Sequence, residues 1–236
     1  MTETNESILT LDKVVYEYRN KYQTVKAVDD ISYEFKRGKL YAIVGKSGSG
    51  KTTLLSILAG RDTPKEGSVS YMGKSTKNMD RDRYRREDVA VIYQDFNLFP
   101  LLTAVENVMY PLQLKGMKEK EAKVIAQEKM NSVGMDDKFY RRFPSMLSGG
   151  EQQRIAIARA LASNASVILA DEPTGNLDTE NGKNIIGILK ELAHEQGYCV
   201  IVVTHDLGIS SDADETLSMR DGKLVMKVEP DMEKAI

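Results

Sequence analysis

The sequence predicts an α/β protein built on a mostly parallel β-sheet, with an N-terminal antiparallel β subdomain and an inserted α-helical subdomain. Residues 40–44, 167–170 and 198–204 form short runs that are apolar on both faces, and helical patterns alternate with them. Such strands are typical of parallel sheets covered by helices. Residues 8–40 instead alternate and break as short antiparallel strands do, and residues 96–150 have helical periodicity.

The composition is that of an ordinary globular protein. Of 236 residues, 41% are hydrophobic, which is enough for a normal core, and 33 basic residues against 35 acidic ones leave a net charge of −2. A chain without an overall positive field is not expected to bind nucleic acid. The basic run RDRYRR at 81–86 is interleaved with an acid, which favours a solvated face over a binding patch.

The sequence also bears on where the chain is located. No apolar run approaches the ~20 residues that span a bilayer, and residues 1–7 (MTETNES) are too polar for a signal peptide. We therefore expect a chain that is cytosolic or attached to a membrane from the cytosolic side. The single cysteine, Cys199, lies in the strand-like segment YCVIVVT, where we expect a small buried thiol.

The N-terminal segment is predicted to form antiparallel strands at 8–18 and 25–35, separated by a polar turn near 19–23. Tyr18 stands just before that turn. Its ring could stack on a nucleotide base, although a strand tyrosine packs more often than it stacks.

Residues 45–52, GKSGSGKT, lie between the apolar strand at 40–44 and an apolar helical stretch at 54–59. This is the context that the phosphate-binding pattern G-x-x-x-x-G-K-[ST] requires. The glycines allow backbone torsions that a side chain would forbid, so that successive N–H groups surround a polyphosphate at the start of a helix. The segment predicts binding of a nucleoside triphosphate by Gly45, Lys46, Ser47, Gly48, Ser49, Gly50, Lys51, Thr52 and Thr53.

The middle of the chain changes from strands to helices. Residues 67–73 and 89–93 are predicted to be strands, and Gln94 directly follows the second. Thr103 and Glu106 form a capping box that opens a helix. A second helix ends at Gly134, and its predicted face consists of Ala122, Ile125, Ala126, Lys129 and Val133.

We accordingly expect a single domain in which residues 8–94 and 155–236 form the α/β core and residues 95–154 form the helical subdomain. Five methionines fall in or near that subdomain, and core packing is a more probable role for them than an adaptable docking groove. They are Met109, Met117, Met130, Met135 and Met146.

The C-terminal part returns to strands. A helical stripe at 185–192 separates the strands at 167–170 and 198–204, and Asp221-Gly222 is a hairpin signal between ETLSMR and KLVMKV. His205 ends the second strand, where a γ-phosphate contact is needed, although strand-end histidines are more often structural. The other histidine, His194, is expected to be solvated.

The acidic pair Asp171-Glu172 follows the apolar strand at 167–170. Acids at a strand end are common in loops, but beside a phosphate-binding loop they indicate catalysis. Asp171 would hold the coordination shell of Mg²⁺, and Glu172 would polarise the attacking water. A second anion site is predicted at 148–151 (SGGE), a capping box whose helix presents free N–H groups beside Gly149 and Gly150.

Taken together, these motifs resemble those of ATP-binding cassette (ABC) proteins, which have a RecA-like P-loop core. The segment LSGGEQQR at 147–154, followed by VILADEP at 167–173, is similar to the family's signature and acidic strand. Residues 176–178 (NLD) match its D-loop. PTGNLD at 173–178 and the short chain look most like the branch that energises lipoprotein release, macrolide export and peptide export. Tyr18, Gln94 and His205 match the A-loop, the Q-loop and the switch histidine.

The resemblance implies a Mg²⁺-dependent ATPase that powers a membrane transporter. It implies a head-to-tail homodimer, in which each ATP lies between Lys51 of one copy and Ser148 of the other. An integral membrane permease would be the partner, with the cassette peripheral on the inner face of the membrane. The implied catalytic residues are Lys51, Gln94, Glu172 and His205. The implied metal ligands are Thr52, Gln94 and Asp171. The implied nucleotide contacts of the second half-site are Ser148, Gly149, Gly150 and Asp178.

The chain departs from the commonest signature at Glu151, where the family has Gln. We interpret Glu151 as bonded back to the Ser148 backbone and turned away from the ligand. Two other functions stay open. One is a regulatory cassette ATPase that signals to a membrane or cell-wall-remodelling partner. The other is a non-transport cassette acting on nucleic acid or ribosomes, against which stand the near-zero charge and the lack of a long heptad insertion.

Overall fold

A computed structural model describes residues 6–19 and 21–226, and the statements below concern those residues. Most of the segment MTETNES, and residues 227–228 of the last predicted strand, lie outside them. The β-strands are β1 Ser7–Arg19, β2 Thr24–Lys36, β3 Leu40–Val44, β4 Glu66–Tyr71, β5 Lys74–Ser75, β6 Val89–Ile92, β7 Val167–Asp171, β8 Cys199–Thr204, β9 Glu215–Arg220 and β10 Lys223–Met226. The α-helices are α1 Lys51–Leu58, α2 Arg81–Glu87, α3 Ala104–Leu114, α4 Glu119–Ser132, α5 Gly149–Ala162 and α6 Thr179–His194.

The central sheet has the strand order β10-β9-β3-β8-β7-β6. All neighbouring strands are parallel except β10, which forms an antiparallel hairpin with β9. The mostly parallel sheet and the Asp221-Gly222 hairpin turn are therefore confirmed. Because β3, β7 and β8 run in the same direction, the segments after Val44, Asp171 and Thr204 emerge at one edge of the sheet.

The N-terminal strands form a second, antiparallel sheet of order β2-β1-β4-β5. The strands predicted at 8–18 and 25–35 correspond to β1 and β2, which have 13 residues each. Register shifts between Leu11 and Val14 and between Val14 and Tyr16 interrupt the alternation of side chains without ending the pairing. Bulges of this kind bend a strand while it stays in the sheet, which explains the breaks in the alternation of the sequence.

Helices α3, α4 and α5 pack on one another. The predicted capping box of α3 is present, with Glu106 Oε2 accepting from Thr103 N at 2.8 Å. On α4, Ala122 and Ala126 of the predicted face are fully buried together with Met130, whereas Lys129 of that face is only partly buried. The predicted subdomain boundary at residue 154 falls within α5, and the division of the chain stays a prediction.

The core has two parts, one on each face of the central sheet. Leu40, Ala42 and Val44 of β3 pack with α3 to α6, whereas Tyr41 and Ile43 pack with α1 and the antiparallel sheet. Cys199 is fully buried, as predicted. Four of the five methionines belong to the helical core, and Met146 is 60% exposed. In the described ranges we find no helix of the length and apolarity that crossing a bilayer requires.

Candidate nucleotide-binding site

The loop at residues 45–52 joins β3 to α1 and needs its glycines for two different reasons. Gly50 has φ 105°, and a Cβ there would lie 2.0 Å from the Ala27 carbonyl oxygen. Gly45 has no positive φ, so the torsional reason predicted for it is wrong. A Cβ at Gly45 would lie 2.3 Å from the Met219 carbonyl oxygen, and close packing is what requires a glycine. The loop is thus held against both sheets.

Lys51 begins α1, and its side chain lies inside the loop. The Nζ atom donates hydrogen bonds to the carbonyl oxygens of Gly45 at 2.7 Å and Lys46 at 3.1 Å, and the residue is buried. A buried ammonium group at the N-terminus of a helix attracts anions. The charge is therefore placed where a phosphate group would enter the loop.

A cavity of about 920 Å³ opens over this loop, within the size range of ligand sites. It brings together eleven of the predicted site residues, namely Tyr18, Lys46, Ser47, Gly48, Gly50, Lys51, Thr52, Thr53, Gln94, Glu172 and His205. Five lining residues were not predicted, namely Val25, Lys26, Ala27, Asp221 and Gly222. The hairpin signal identified the turn at Asp221-Gly222, but its position depends on the long-range bond from Gly222 N to Ser49 O at 3.1 Å.

Tyr18 lies at the mouth of the cavity. Its hydroxyl is 3.3 Å from Thr53 Oγ1, and its ring meets Tyr16 edge-on with centroids 5.2 Å apart. The residue is 52% exposed. One part of the ring therefore packs, and the exposed part remains available to a base.

Asp171 does not itself line the cavity, but its carboxylate lies next to Thr52, which does, with Thr52 Oγ1 3.5 Å from Asp171 Oδ1. Burial raises the pKa of the Asp171 carboxyl, the charge of Glu172 raises it further, and Thr52 and Lys51 offset only part of the rise. A half-buried carboxylate whose charge is incompletely compensated, next to a hydroxyl, suits a hard divalent cation. The residues present therefore fit Mg²⁺, with Gln94 as a third oxygen donor in the same cavity.

Glu172 and His205 are in direct contact, which the sequence did not predict. Glu172 has φ 47°, and its Oε2 accepts from Thr204 Oγ1 at 3.0 Å. Its Oε1 lies 3.0 Å from Nδ1 of His205. The His205 side chain is 69% exposed and that of Glu172 16%, so the pair faces the cavity from the ends of two adjacent strands.

The second predicted half-site lies elsewhere. Ser148 is the N-cap of α5, where Glu151 N donates to Ser148 Oγ at 3.4 Å and Ser148 N donates to Glu151 Oε2 at 2.7 Å. Asp178 caps α6 by accepting from Asn181 N at 2.9 Å, and bonds from Asn181 hold the pKa of its carboxyl below the usual range. None of Ser148, Gly149, Gly150 and Asp178 lines the cavity.

The sequence suggested that His194 is solvated, but in the structure its side chain has a hydrogen-bond partner. Its Nε2 lies 2.8 Å from Oδ2 of Asp214, which also accepts from Leu40 N at 2.7 Å. Burial works against ionisation of Asp214, but the bonds from Leu40 and His194, together with the charge of Lys39, outweigh it and hold the pKa of the carboxyl below its ordinary value. The pair joins the end of α6 to the sheet and lies outside the cavity.

Comparisons with known proteins agree with this geometry. A family model described as ABC transporter matches residues 28–175. The Bacillus subtilis protein YclH, named an uncharacterized ABC transporter ATP-binding protein, is 40% identical over 221 residues, which cover 94% of this chain and 97% of the relative.

Two solved structures of MJ0796, a protein of Methanocaldococcus jannaschii, also match. A dimeric structure, described as a bacterial ABC transporter cassette, has a TM-score of 0.84 at 38% identity and covers 92% of this chain and 96% of its own. A dimeric post-hydrolysis structure bound to ADP and Pi has a TM-score of 0.86 at 37% identity, with coverage of 94% and 98%.

Proposed function

Because this chain belongs to the ABC transporter family as an ATP-binding and ATP-hydrolysing cassette, we propose that it powers an exporter-type membrane complex. ATP closes two copies of the chain over two sites, and hydrolysis reopens them. The observation that carries this proposal is the division of the site. The cavity holds Lys51 and Glu172, whereas the anion-binding N-terminus of α5 at Ser148 does not line it.

Nucleotide binding follows from the residues of the cavity. The loop N–H groups and Lys51 surround the phosphates, and the exposed part of the Tyr18 ring contacts the base. Thr52, Asp171 and Gln94 would hold Mg²⁺, which neutralises charge on the outer phosphates when bound. The cavity thus supplies contacts for the base and for the phosphates of a nucleoside triphosphate.

The contact between Glu172 and His205 determines how hydrolysis is catalysed. Glu172 accepts a hydrogen bond from the attacking water and directs it towards the γ-phosphorus. Thr204 and His205 hold the carboxylate in place through bonds to both of its oxygens. As the new P–O bond forms, the bond from phosphorus to the bridging oxygen breaks, and ADP and inorganic phosphate are released. His205 is exposed enough to reach the γ-phosphate.

A second copy of the chain completes the site. Gly149 and Gly150 begin α5, and their free N–H groups form an anion site with Ser148, while Asp178 is the N-cap of α6. Head-to-tail pairing brings Ser148 and the N–H groups of Gly149 and Gly150 of one copy to the phosphates bound by the other, with Asp178 at the same interface. The similarity to MJ0796, which was solved as a dimer, supports this arrangement.

The membrane partner is proposed to bind a groove of about 590 Å³ between α2, α3 and α5. Its apolar and aromatic lining includes Phe99, Tyr110 and Leu114, while Arg61 and Arg86 add positive charge. A short amphipathic segment with acidic residues, on the cytosolic side of a permease, complements this surface. The chain would then lie at the inner face of the membrane.

The test is purification of the tagged full-length chain from membranes in mild detergent, followed by identification of its companion. We expect a multi-span membrane protein. Arg86→Glu should remove that companion without changing the ATPase activity of the isolated chain. The matched control is Arg83→Glu, on the same helix but outside the groove. Recovery with ribosomes alone would contradict the membrane role.

A second experiment uses the complex reconstituted in vesicles. Movement of cargo away from the side of the membrane that carries the cassette supports export, and ATP-dependent signalling without cargo movement refutes it.

A further inference from the structure

Asn176 lies in the loop between β7 and α6, and its side-chain amide touches the segment after β6. We propose that Asn176 is a positioning residue that fixes the orientation of the Gln94 amide, so that the Gln94 oxygen faces the metal and nucleotide. The inference rests on the proposed role of Gln94 in the ATPase site, and it adds a residue that does not itself line the cavity.

The orientation of the Asn176 amide is set by its surroundings. Its Nδ2 lies 3.1 Å from the carbonyl oxygen of Gln94 and 3.2 Å from Oδ1 of Asp95. A backbone carbonyl and an ionised carboxylate only accept hydrogen bonds. The NH₂ end of Asn176 must therefore face these two oxygens, and its Oδ1 faces the opposite way.

The Asn176 oxygen in turn determines how Gln94 is turned. Gln94 Nε2 donates to Asn176 Oδ1 at 3.3 Å, so the NH₂ end of the Gln94 amide is engaged by an acceptor. The remaining end, Oε1, is the one left for the cavity that Gln94 lines. Mg²⁺ and its bound waters require an oxygen ligand or acceptor, and an amide nitrogen cannot serve.

The backbone leaves room for this contact. A Cβ at Gly175 would lie 2.9 Å from Gln94 Nε2, so the absence of a side chain at 175 allows the amide to approach the loop. On the other side, Arg159 of α5 donates to the carbonyl oxygens of Asn97 at 2.6 Å and Phe96 at 2.9 Å. The backbone after Gln94 is thereby anchored by Arg159. The orientation of the Gln94 side-chain amide is not fixed by that anchor, and Asn176 fixes it.

The experiment measures metal binding without turnover. The parent is the full chain carrying Glu172→Gln and loaded with ATP, and the readout is the dissociation constant of Mn²⁺ by electron paramagnetic resonance. Four derivatives are compared with it, carrying Gln94→Ala, Asn176→Ala, both changes, or Asn176→Asp. The matched control is Asn131→Ala, because Asn131 also accepts one side-chain hydrogen bond, from Tyr140 at 2.8 Å, but lies on α4.

We expect Gln94→Ala, which removes a proposed metal ligand, and Asn176→Ala, which removes the group that orients it, each to weaken Mn²⁺ binding about tenfold. The double variant should be no weaker than Gln94→Ala, because Asn176 acts only through Gln94. Asn176→Asp keeps the shape of the side chain but sets a carboxylate against two acceptors, so its loss of Mn²⁺ affinity should match that of Asn176→Ala. It replaces Asn176→Ala in the comparison if that variant does not fold. The ATP affinity of each variant in EDTA should stay within about twofold of that of the parent. The Mn²⁺ affinity of the control Asn131→Ala should also stay within about twofold.

Additive losses in the double variant, or less than a twofold loss from Asn176→Ala and Asn176→Asp, would overturn the inference. No effect of Gln94→Ala would remove its basis. None of these three results decides whether the chain hydrolyses ATP, which is tested separately by phosphate release from the chain with Glu172 intact.

Discussion

Replacing Glu151 by Gln tests whether the carboxylate at the start of α5 faces the bound nucleotide. In the structure the Glu151 carboxylate turns back on its own helix, where Oε2 accepts from Ser148 N at 2.7 Å. A glutamine can accept the same hydrogen bond without the charge. Glu151→Gln therefore changes the electrostatics of the proposed second half-site while keeping its shape.

The expected effect on ATP affinity follows from the distance between charges. Two unit charges about 4 Å apart interact by about 4 kcal/mol at an effective dielectric constant of ~20, but by only about 0.4 kcal/mol when ~10 Å apart in water. A carboxylate directed at the phosphate would thus weaken binding by far more than tenfold, which corresponds to about 1.4 kcal/mol. Because Glu151 is turned away, we expect Glu151→Gln to change ATP affinity less than about threefold.

The assay is the ATP concentration that half-saturates dimer formation, measured by sedimentation in a Glu172→Gln background. Glu106→Gln is the matched control, because Glu106 makes the equivalent capping contact with Thr103 at 2.8 Å on α3. Each change should lower the free energy of unfolding by about 0.3 to 1 kcal/mol through weaker capping. An ATP affinity raised tenfold or more by Glu151→Gln, with the control unchanged, would refute the orientation and the interpretation of this departure from the family signature.

Three further outcomes are expected. Glu172→Gln should lower phosphate release at least about 100-fold while the chain still binds Mg-ATP and pairs, and rapid turnover would refute the role of Glu172. Asp171→Asn should raise the melting temperature of the nucleotide-free chain, because the raised pKa means that the ionised carboxylate costs stability above its unfolded pKa near ~3.9. It should also remove the extra stabilisation by Mg²⁺ over ATP alone, and a lowered melting temperature would contradict this reasoning. Asp214→Asn should destabilise the chain at pH 7, because the lowered pKa of Asp214 contributes stability above about pH 4 that is lost on acidification through the folded pKa. Urea unfolding at pH 7 and at pH 3 measures the loss of stability, and an equal loss at the two pH values would argue against the role assigned to the Asp214 carboxylate.

The edge of the central sheet was predictable because each motif there directly follows an apolar strand. Once β3, β7 and β8 are parallel, the loop at 45–52, Asp171 and His205 must emerge together. The local capping signals at Thr103 and Ser148 were equally readable, since a capping box depends only on residues three positions apart.

Contacts between distant segments were not predictable from local pattern. Glu172 meets His205, and His194 meets Asp214, because strand register and helix ends place them together. The need for Gly45 was visible but its reason was not, since the Met219 carbonyl that excludes a side chain belongs to a strand far along the chain. The bulges of β1 were hidden for the same reason, because bulged pairing depends on the neighbouring strand.

The central claim is that each catalytic site needs a second copy of the chain, and the dependence of specific ATPase activity on protein concentration tests it most directly. With sedimentation measured in parallel, we predict that activity per chain rises in proportion to the dimeric fraction and disappears on dilution to monomers. Constant activity per chain, down to concentrations at which only monomers sediment, would contradict it.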